Sequence, residues 1–484
     1  MHRTSAFPVR VAARRPPAVL PAPAAALLLL LALIVGLLAS APASANDPLT
    51  VPTAFAPVLD LMSDKRKVRK KAVDRIAETG DLGLVPGIVD ALFFIPRTSR
   101  TEAFRALEAL TADEPNGGKA VDRSYWDWIA WTGAREDIAP TEGYFAWKRL
   151  LLMRIDRRFA IVFYDGAPTH VRLEEVVSGG VGLEGIPALD NPTMIAADEA
   201  RYLRGKEDVF GVVLGGEARA YPVRHLSWHE MLNDVVGGVP VTLSYCTLCG
   251  SAILYDGRAP GGGTRTFGTS GLLYRSNKLM IDRQSLSLWH NITGEAVVGR
   301  AAVARKSLDI LPMTRTTWKA WSEAHPDTLV LAAKPDPQRP NLFDYRPGAA
   351  DRARAGVRFP VWKRSEAMPD KTEIYALTVE GRAKAWSLEA LYGADLVHDR
   401  VGEIDLVLIT DEAADAVRVY RRDGRTFTRD GDGLADGGGA NWQITEAALV
   451  GPDGANLARV PGHVAFWFGW YAFYPQTEIW DGSE

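Results

Sequence analysis

The amino-acid sequence predicts an α+β fold, in which a helical, HEAT-like N-terminal region is followed by two tandem β-rich modules. Three observations lead to this prediction. Apolar residues recur at helical spacing between residues 50 and about 160, short apolar runs between glycine turns dominate beyond about residue 180, and one series of residues recurs in the same order in two stretches. The 484 residues, 47% apolar and 24% charged, are typical of a globular chain of roughly two to four domains.

The first 45 residues form a distinct segment. They contain four arginines and no acidic residue, and an apolar run of 18 residues, 24–41, precedes the small residues Ala43-Ser44-Ala45. This order is typical of a secretory signal peptide, 1–45, that is removed after export. The alternative is a retained anchor, since the run is just long enough to span a bilayer. The Ala-x-Ala site favours cleavage, so we expect an exported protein, periplasmic or extracellular, that meets a membrane only if this segment is retained.

Charge limits the partners of the mature chain. Removing the four arginines of residues 1–45 from the 56 basic residues leaves 52, against 59 acidic residues, a net charge of −7. A mildly acidic chain lacks the basic surface that nucleic acids require, so we expect no nucleic-acid partner. No other partner is predicted. With only two cysteines, the core does not depend on a disulfide scaffold.

Residues 46–160 are predicted to form the helical region. Apolar residues at helical spacing run from Val68 to Ile76, and Gly80 ends that helix. Further helices are predicted at 84–94, 100–110 and 141–158. Short helices in this arrangement resemble HEAT repeats, which stack to share a core.

Residues 176–335 are predicted to form the first β-rich module. Strands at 209–214 and 217–221 flank Gly215-Gly216, which is a hairpin signal. Strands at 241–245 and 252–255 flank the segment Cys246-Thr-Leu-Cys249, and one short helix is predicted between residues 225 and 233.

Residues 336–484 are predicted to be a second, degenerate copy of this module. The segment GEARAYPVRHL at 216–226 is similar to GRAKAWSLEAL at 381–391, and tryptophans and prolines follow in the same order in both stretches. In this alignment Asp411 lies opposite Cys246 and Ala414 lies opposite Cys249. The second copy keeps residues that shape a fold but lacks the thiols, so we expect the functional site in the first module.

The Cys246-x-x-Cys249 loop fits three chemistries. Two close thiols can exchange through a mixed disulfide, can supply two ligands to a transition metal ion, or can form a small structural disulfide. The β-like run after Gly250 departs from the thioredoxin pattern, in which a helix follows the second cysteine. Haem attachment is excluded, because Gly250 stands where that motif needs a histidine.

The candidate site also includes His229 and Glu230, which precede the cysteine loop in the sequence. In the redox version one cysteine is the nucleophile and the other resolves it, while His229 is the base and Glu230 orients it. In the metal version Cys246, Cys249 and His229 are the ligands of a transition metal ion. The competing hypothesis is a non-enzymatic binding or scaffold protein, in which the cysteines form a static disulfide.

Four segments resemble the family called domain of unknown function 3179: GIPALDNP at 185–192, ARAYPVRHLSWHEMLND at 218–234, PVTLSYCTLCGSAILYD at 240–256 and LMIDRQSLSLW at 279–289. The resemblance is strong over residues 176–335 and weak over the second copy. It implies an exported bacterial protein whose activity is not established. His225 and His290 fit the family pattern poorly, whereas the two cysteines, His229 and Glu230 are carried over as the site.

Overall fold

The computed structural model of the chain describes residues 50–112, 124–258, 263–333, 356–480 and 482. The predicted signal peptide, 1–45, lies outside these residues. Helices dominate the described part before residue 163 and strands dominate after residue 175, so the protein has a mixed α+β fold with a helical N-terminal region, as predicted. No helix within these ranges is long and apolar enough to cross a membrane.

Seven α-helices precede the sheets in the described residues. They are α1 (Ala56–Asp60), α2 (Arg66–Thr79), α3 (Val85–Leu92), α4 (Thr101–Thr111), α5 (Tyr125–Ala134), α6 (Tyr144–Met153) and α7 (Phe159–Val162). The single helix predicted at 141–158 is wrong, since α6 ends at Met153. The Asp156 side chain then accepts the backbone N–H of Arg158 at 2.9 Å and begins a new turn that leads into α7. Helix α5 has no counterpart among the predicted helices, although Ser124 and Asp127 form a capping box at its start.

Fifteen strands and two helices form the first β-rich half of the described chain. The strands are β1 (Val176–Ser178), β2 (Leu189–Asp190), β3 (Met194–Ala196), β4 (Asp208–Leu214), β5 (Glu217–Pro222), β6 (Met231–Val236), β7 (Val239–Cys246), β8 (Ser251–Asp256), β9 (Phe267–Tyr274), β10 (Asn277–Asp282), β11 (Leu288–His290), β12 (Ala296–Val298), β13 (Ile310–Leu311), β14 (Thr314–Thr317) and β15 (Leu329–Leu331). The helices are α8 (Val223–His229) and α9 (Trp318–Ala324). The three sheets have the strand orders β1-β9-β10-β11-β12, β13-β8-β7-β6-β2 and β14-β4-β5-β15-β3.

The predicted hairpins are present in this half. Strands β4 and β5 pair antiparallel, and Gly215 and Gly216 at their turn have positive φ angles of 55° and 82°, which glycine adopts without strain. Strands β7 and β8 pair antiparallel on either side of the cysteine loop. The helix predicted between residues 225 and 233 is shorter than expected, because α8 ends at His229 and β6 begins at Met231.

Twelve strands and two helices form the second half of the described chain. The strands are β16 (Glu373–Val379), β17 (Arg382–Ser387), β18 (Leu396–Val401), β19 (Ile404–Asp411), β20 (Ala416–Arg421), β21 (Phe427–Asp430), β22 (Gly433–Asp436), β23 (Asn441–Ile444), β24 (Ala448–Val450), β25 (Asn456–Ala458), β26 (His463–Phe466) and β27 (Glu478–Trp480). The helices are α10 (Leu388–Ala394) and α11 (Trp467–Tyr471). The sheets have the orders β26-β16-β17-β27, β18-β19-β20 and β21-β22-β23-β24-β25, and β17 pairs parallel with β27 as β5 does with β15.

The helical region and the first sheet share one hydrophobic core. Phe55, Trp128 and Trp147 of the helical region belong to the same buried cluster as Leu272 of β9 and Leu279 of β10. Burying a large apolar side chain contributes about 1.5–3 kcal/mol. This cluster therefore stabilises the position of the β9–β10 hairpin. The turn of that hairpin contacts the cysteine loop.

Candidate functional site

The cysteine loop lies between two paired strands. Cys246 is the last residue of β7 and pairs with Ser251, the first residue of β8. Gly250 has a φ of 61°, and a β-carbon there would lie 3.2 Å from the ring of Phe466. Both cysteines are unpaired thiols, and both are buried, with exposures of 2% for Cys246 and 0% for Cys249. The loop is therefore packed inside the protein.

Glu230 lies beside the loop because helix α8 ends there. Its backbone is left-handed, with a φ of 58°, and its N–H donates to the carbonyl oxygen of Leu226 at 2.8 Å, which terminates the helix. The Glu230 carbonyl oxygen accepts the N–H of Tyr245 at 2.8 Å. Since Tyr245 directly precedes Cys246, this bond holds Glu230 next to the first thiol.

A buried lysine links Glu230 to the loop. Lys278 of β10 is 4% exposed, and its Nζ donates to the carbonyl oxygens of Glu230 at 2.5 Å and of Tyr245 at 2.9 Å. The same Nζ lies 3.7 Å from Glu230 Oε2, whose side chain keeps 20% of its surface exposed. Burial lowers the pKa of Lys278 and raises the pKa of Glu230, and each charge opposes the shift of the other. The pKa values of these two groups are therefore shifted toward each other.

The two thiols differ in acidity. Burial raises the pKa of Cys246, but the hydrogen bond with Cys249 and the charge of Lys278 outweigh burial and the charge of Glu230, so the net shift is downward. Burial raises the pKa of Cys249 well above its ordinary value, and its hydrogen bond to Cys246 and the charge of Cys246 raise it further. Cys246 is therefore the more acidic of the two thiols.

The second half of the chain closes over Cys249. The Cys249 carbonyl oxygen accepts the N–H of Phe466 at 2.7 Å, and a β-carbon at Gly469 of α11 would lie 2.8 Å from the Cys249 β-carbon. A residue larger than glycine has no room there, so α11 lies directly against this cysteine. In the first half, Cys249 Sγ donates to the carbonyl oxygen of Ser276 at 3.2 Å.

The contact with Ser276 depends on a tight hairpin turn. Arg275 and Ser276 join β9 to β10 with φ angles of 49° and 60°, as expected of a two-residue type I′ turn. The Arg275 guanidinium pairs with the buried Glu175 carboxylate at 2.6 Å and donates to the carbonyl oxygen of Ala472 at 2.9 Å. The turn is thus tied to the start of the first sheet and to the C-terminal end of α11.

His229 makes a polar contact with a residue outside the cysteine loop. Its Nδ1 lies 2.8 Å from the carbonyl oxygen of Pro187, whereas the charged groups that act on Cys246 include Lys278 and Glu230. Among the described residues, no three His, Cys, Asp or Glu side chains form a group that could hold a metal ion. The structure therefore brings the two cysteines and Glu230 together, but it does not gather the cysteines and this histidine into a metal-binding group.

His225 and His290, the two histidines that fit the family pattern poorly, are surrounded by packed side chains. Burial lowers the pKa of His225 and of His290 to about 3 in each case. His290 Nδ1 accepts the N–H groups of Ile292 and Thr293, and its ring centroid lies 4.1 Å from that of Phe473. His290 is thus held as a neutral, packed side chain.

Lys278 is the residue that sequence reasoning missed. It stands immediately before the apolar residues Leu279, Met280 and Ile281, in a strand whose six residues are all buried. A lysine at a buried strand position is rarely tolerated without a partner of opposite charge. That signal was available in the sequence, although the identity of the partner was not.

The fold and the site together define a mixed helical and β-sheet protein with a buried dithiol beside a lysine–glutamate pair. Residues 183–477 match the family described as Protein of unknown function (DUF3179), and the chain belongs to this family. The match confirms the resemblance and continues through the second half, where the sequence motifs are weak. No curated protein and no solved structure matches the chain.

Proposed function

We propose that this chain is an exported thiol–disulfide redox protein whose reacting pair is Cys246 and Cys249. The observation that carries the proposal is the buried pair of unpaired thiols beside Lys278, whose Nζ donates to the carbonyl oxygen of Tyr245, the residue before Cys246. The positive charge of Lys278 favours a thiolate at Cys246, while burial raises the pKa of Cys249. A nucleophilic thiolate beside a protonated resolving thiol is the arrangement that thiol–disulfide exchange requires.

In the proposed reaction Cys246 is the nucleophile and Cys249 resolves the intermediate. The dithiol loses two electrons and two protons, an S–S bond forms, and an oxidant accepts the electrons. Glu230 takes the place of His229 as the proton acceptor, because it is held beside Cys246 and its carboxylate lies 3.7 Å from Lys278 Nζ. A lysine next to the thiols disfavours a bound cation, so redox chemistry is preferred to a metal site.

Redox titration of the purified chain tests this function. Reduced and oxidised dithiothreitol in varied ratios should convert two thiols into one bridge reversibly, and Cys246→Ser and Cys249→Ser should each abolish the transition. Ala414→Ser changes the corresponding loop of the second half and serves as the matched control, with an unchanged titration. A bridge that resists reduction would support the static scaffold instead. A stoichiometric metal ion lost in Cys246→Ser would support the metal site.

We propose further that residues 176–335 and 336–484 descend from one duplicated module, of which the first copy kept the dithiol. Matching strand orders, β14-β4-β5-β15 and β26-β16-β17-β27, support this duplication. Cys246 and Asp411 end eight-residue strands, β7 and β19, and six-residue strands follow both. We also propose that residues 46–160 are HEAT-like and that residues 1–45 are removed on export. N-terminal sequencing of the exported chain should then give Asn46 as the first residue.

A further inference from the structure

The thiols are enclosed on several sides, which limits the size of any molecule that reacts with them. Both cysteines belong to a buried cluster with Val361, Phe466 and Phe468. Gly469 of α11 adds a wall that touches the Cys249 side chain. The disulfide of a second folded protein would have to displace these packed groups to reach the thiols, whereas a small molecule brings no second protein surface with it.

Buried polar groups without a standard hydrogen bond belong to the two residues that contact Cys249. The Ser276 hydroxyl and both polar atoms of the Asn277 amide are buried and have no hydrogen-bond partner of standard geometry among the described residues. The Asn277 amide is nevertheless close enough to favour a thiolate at Cys249, and Ser276 accepts the Cys249 S–H through its carbonyl oxygen. Buried polar groups without partners are rare in folded proteins, and a redox or catalytic role is one of the explanations for them.

We propose that the oxidant of this dithiol is a small hydroperoxide, bound between the Cys246 sulfur and the polar groups of Ser276 and Asn277. This inference rests on the proposed redox function and names its substrate class. Hydrogen peroxide has two oxygen atoms that both donate and accept hydrogen bonds, which matches a hydroxyl and an amide that offer both. Its small size suits a site surrounded by packed side chains.

The proposed reaction of the dithiol with hydrogen peroxide has two steps. The Cys246 thiolate attacks one peroxide oxygen, the O–O bond breaks, and the leaving hydroxide takes the proton held by Lys278 and Glu230, which gives water and a sulfenic acid at Cys246. The Cys249 thiol then attacks the Cys246 sulfur, the S–O bond breaks, and a second water leaves with the Cys249 proton. In sum, two thiols and one hydrogen peroxide give one disulfide and two waters.

Peroxide kinetics on the reduced whole chain test this substrate. Hydrogen peroxide should form the bridge faster than it oxidises free cysteine at the same pH, and bulky cumene hydroperoxide should react more slowly. In Cys249→Ser, dimedone should trap a sulfenic acid at Cys246. Asn277→Ala should slow the peroxide reaction about tenfold through loss of one hydrogen-bond donor, and the rate of bridge formation with oxidised dithiothreitol, measured on the same variant, should fall less. Asn441→Ala, at an exposed position, is the matched control.

Two outcomes would overturn the peroxide proposal, and only the second would also overturn the proposed redox function. If hydrogen peroxide reacts no faster than with free cysteine, or if cumene hydroperoxide reacts equally fast, while dithiothreitol still drives the bridge reversibly, the substrate is wrong and the redox function stands. If neither oxidant forms a bridge, both proposals fail.

Discussion

Replacing Lys278 by methionine tests the electrostatics of the site directly, because the side chain keeps its length and loses its charge. Two unit charges 3.7 Å apart, the Lys278–Glu230 separation, attract by about 4 kcal/mol at an effective dielectric constant of about 20. The variant also leaves the carbonyl oxygens of Glu230 and Tyr245 without their shared donor. Removing one partner of a buried ion pair costs about 3–5 kcal/mol, which is the expected loss in the free energy of unfolding.

The same variant has a second expected effect, on the thiol. The charge of Lys278 lowers the pKa of Cys246, so its removal should raise that pKa and shift the ultraviolet absorbance of the thiolate to higher pH. Stability is measured by urea unfolding of the reduced chain. Lys384→Met is the matched control, since Lys384 pairs with Asp399 at 2.7 Å with a similar degree of burial. It should lower stability and leave the thiol titration unchanged. A Lys278→Met protein with unaltered stability and an unaltered thiolate titration would refute this account.

Two further predictions concern packing and pH. Gly469→Ala should cost about 1–3 kcal/mol in urea unfolding and slow bridge formation, because its β-carbon would lie 2.8 Å from that of Cys249; unchanged stability would contradict this close approach. Burial lowers the pKa of His290 to about 3 and of His463 to about 4, below the unfolded value of 6.5, so their stabilising contribution is present above pH 6.5 and lost as pH falls. At pH 5 each should cost about 2 kcal/mol in urea unfolding relative to pH 7.5, and equal stability at the two values would show that these histidines are not buried as neutral groups.

The sequence was informative where local pattern decides the structure. Alternating apolar residues and the Gly215-Gly216 pair were enough to predict the β4–β5 hairpin, and comparison of the two halves pointed to the Cys246 loop. Other features depend on tertiary contacts. Helix α8 stops at His229 because Glu230 adopts a left-handed backbone, and the Glu230 carbonyl oxygen then pairs with Tyr245, a bond that periodicity in the sequence does not reveal.

The partners of the dithiol were harder to predict because they come from distant parts of the chain. Lys278 reaches Glu230 only when β10 lies against the end of β7, and Ser276 reaches Cys249 only through a turn with two left-handed residues. The assignment of His229 as base stays a prediction, and the Nδ1 of this side chain lies 2.8 Å from the carbonyl oxygen of Pro187.

The close approach of Gly469 to Cys249 has a thermodynamic consequence. Helix α11 comes from the half of the chain without thiols, yet it forms part of the wall around them, so a change in the bonding of Cys249 and a change in the seating of α11 are coupled. Under the proposed redox function this coupling is reciprocal: a ligand that favours one position of this helix would shift the reduction potential of the dithiol by an equal free energy. The half of the chain without thiols would thereby influence when the other half reacts.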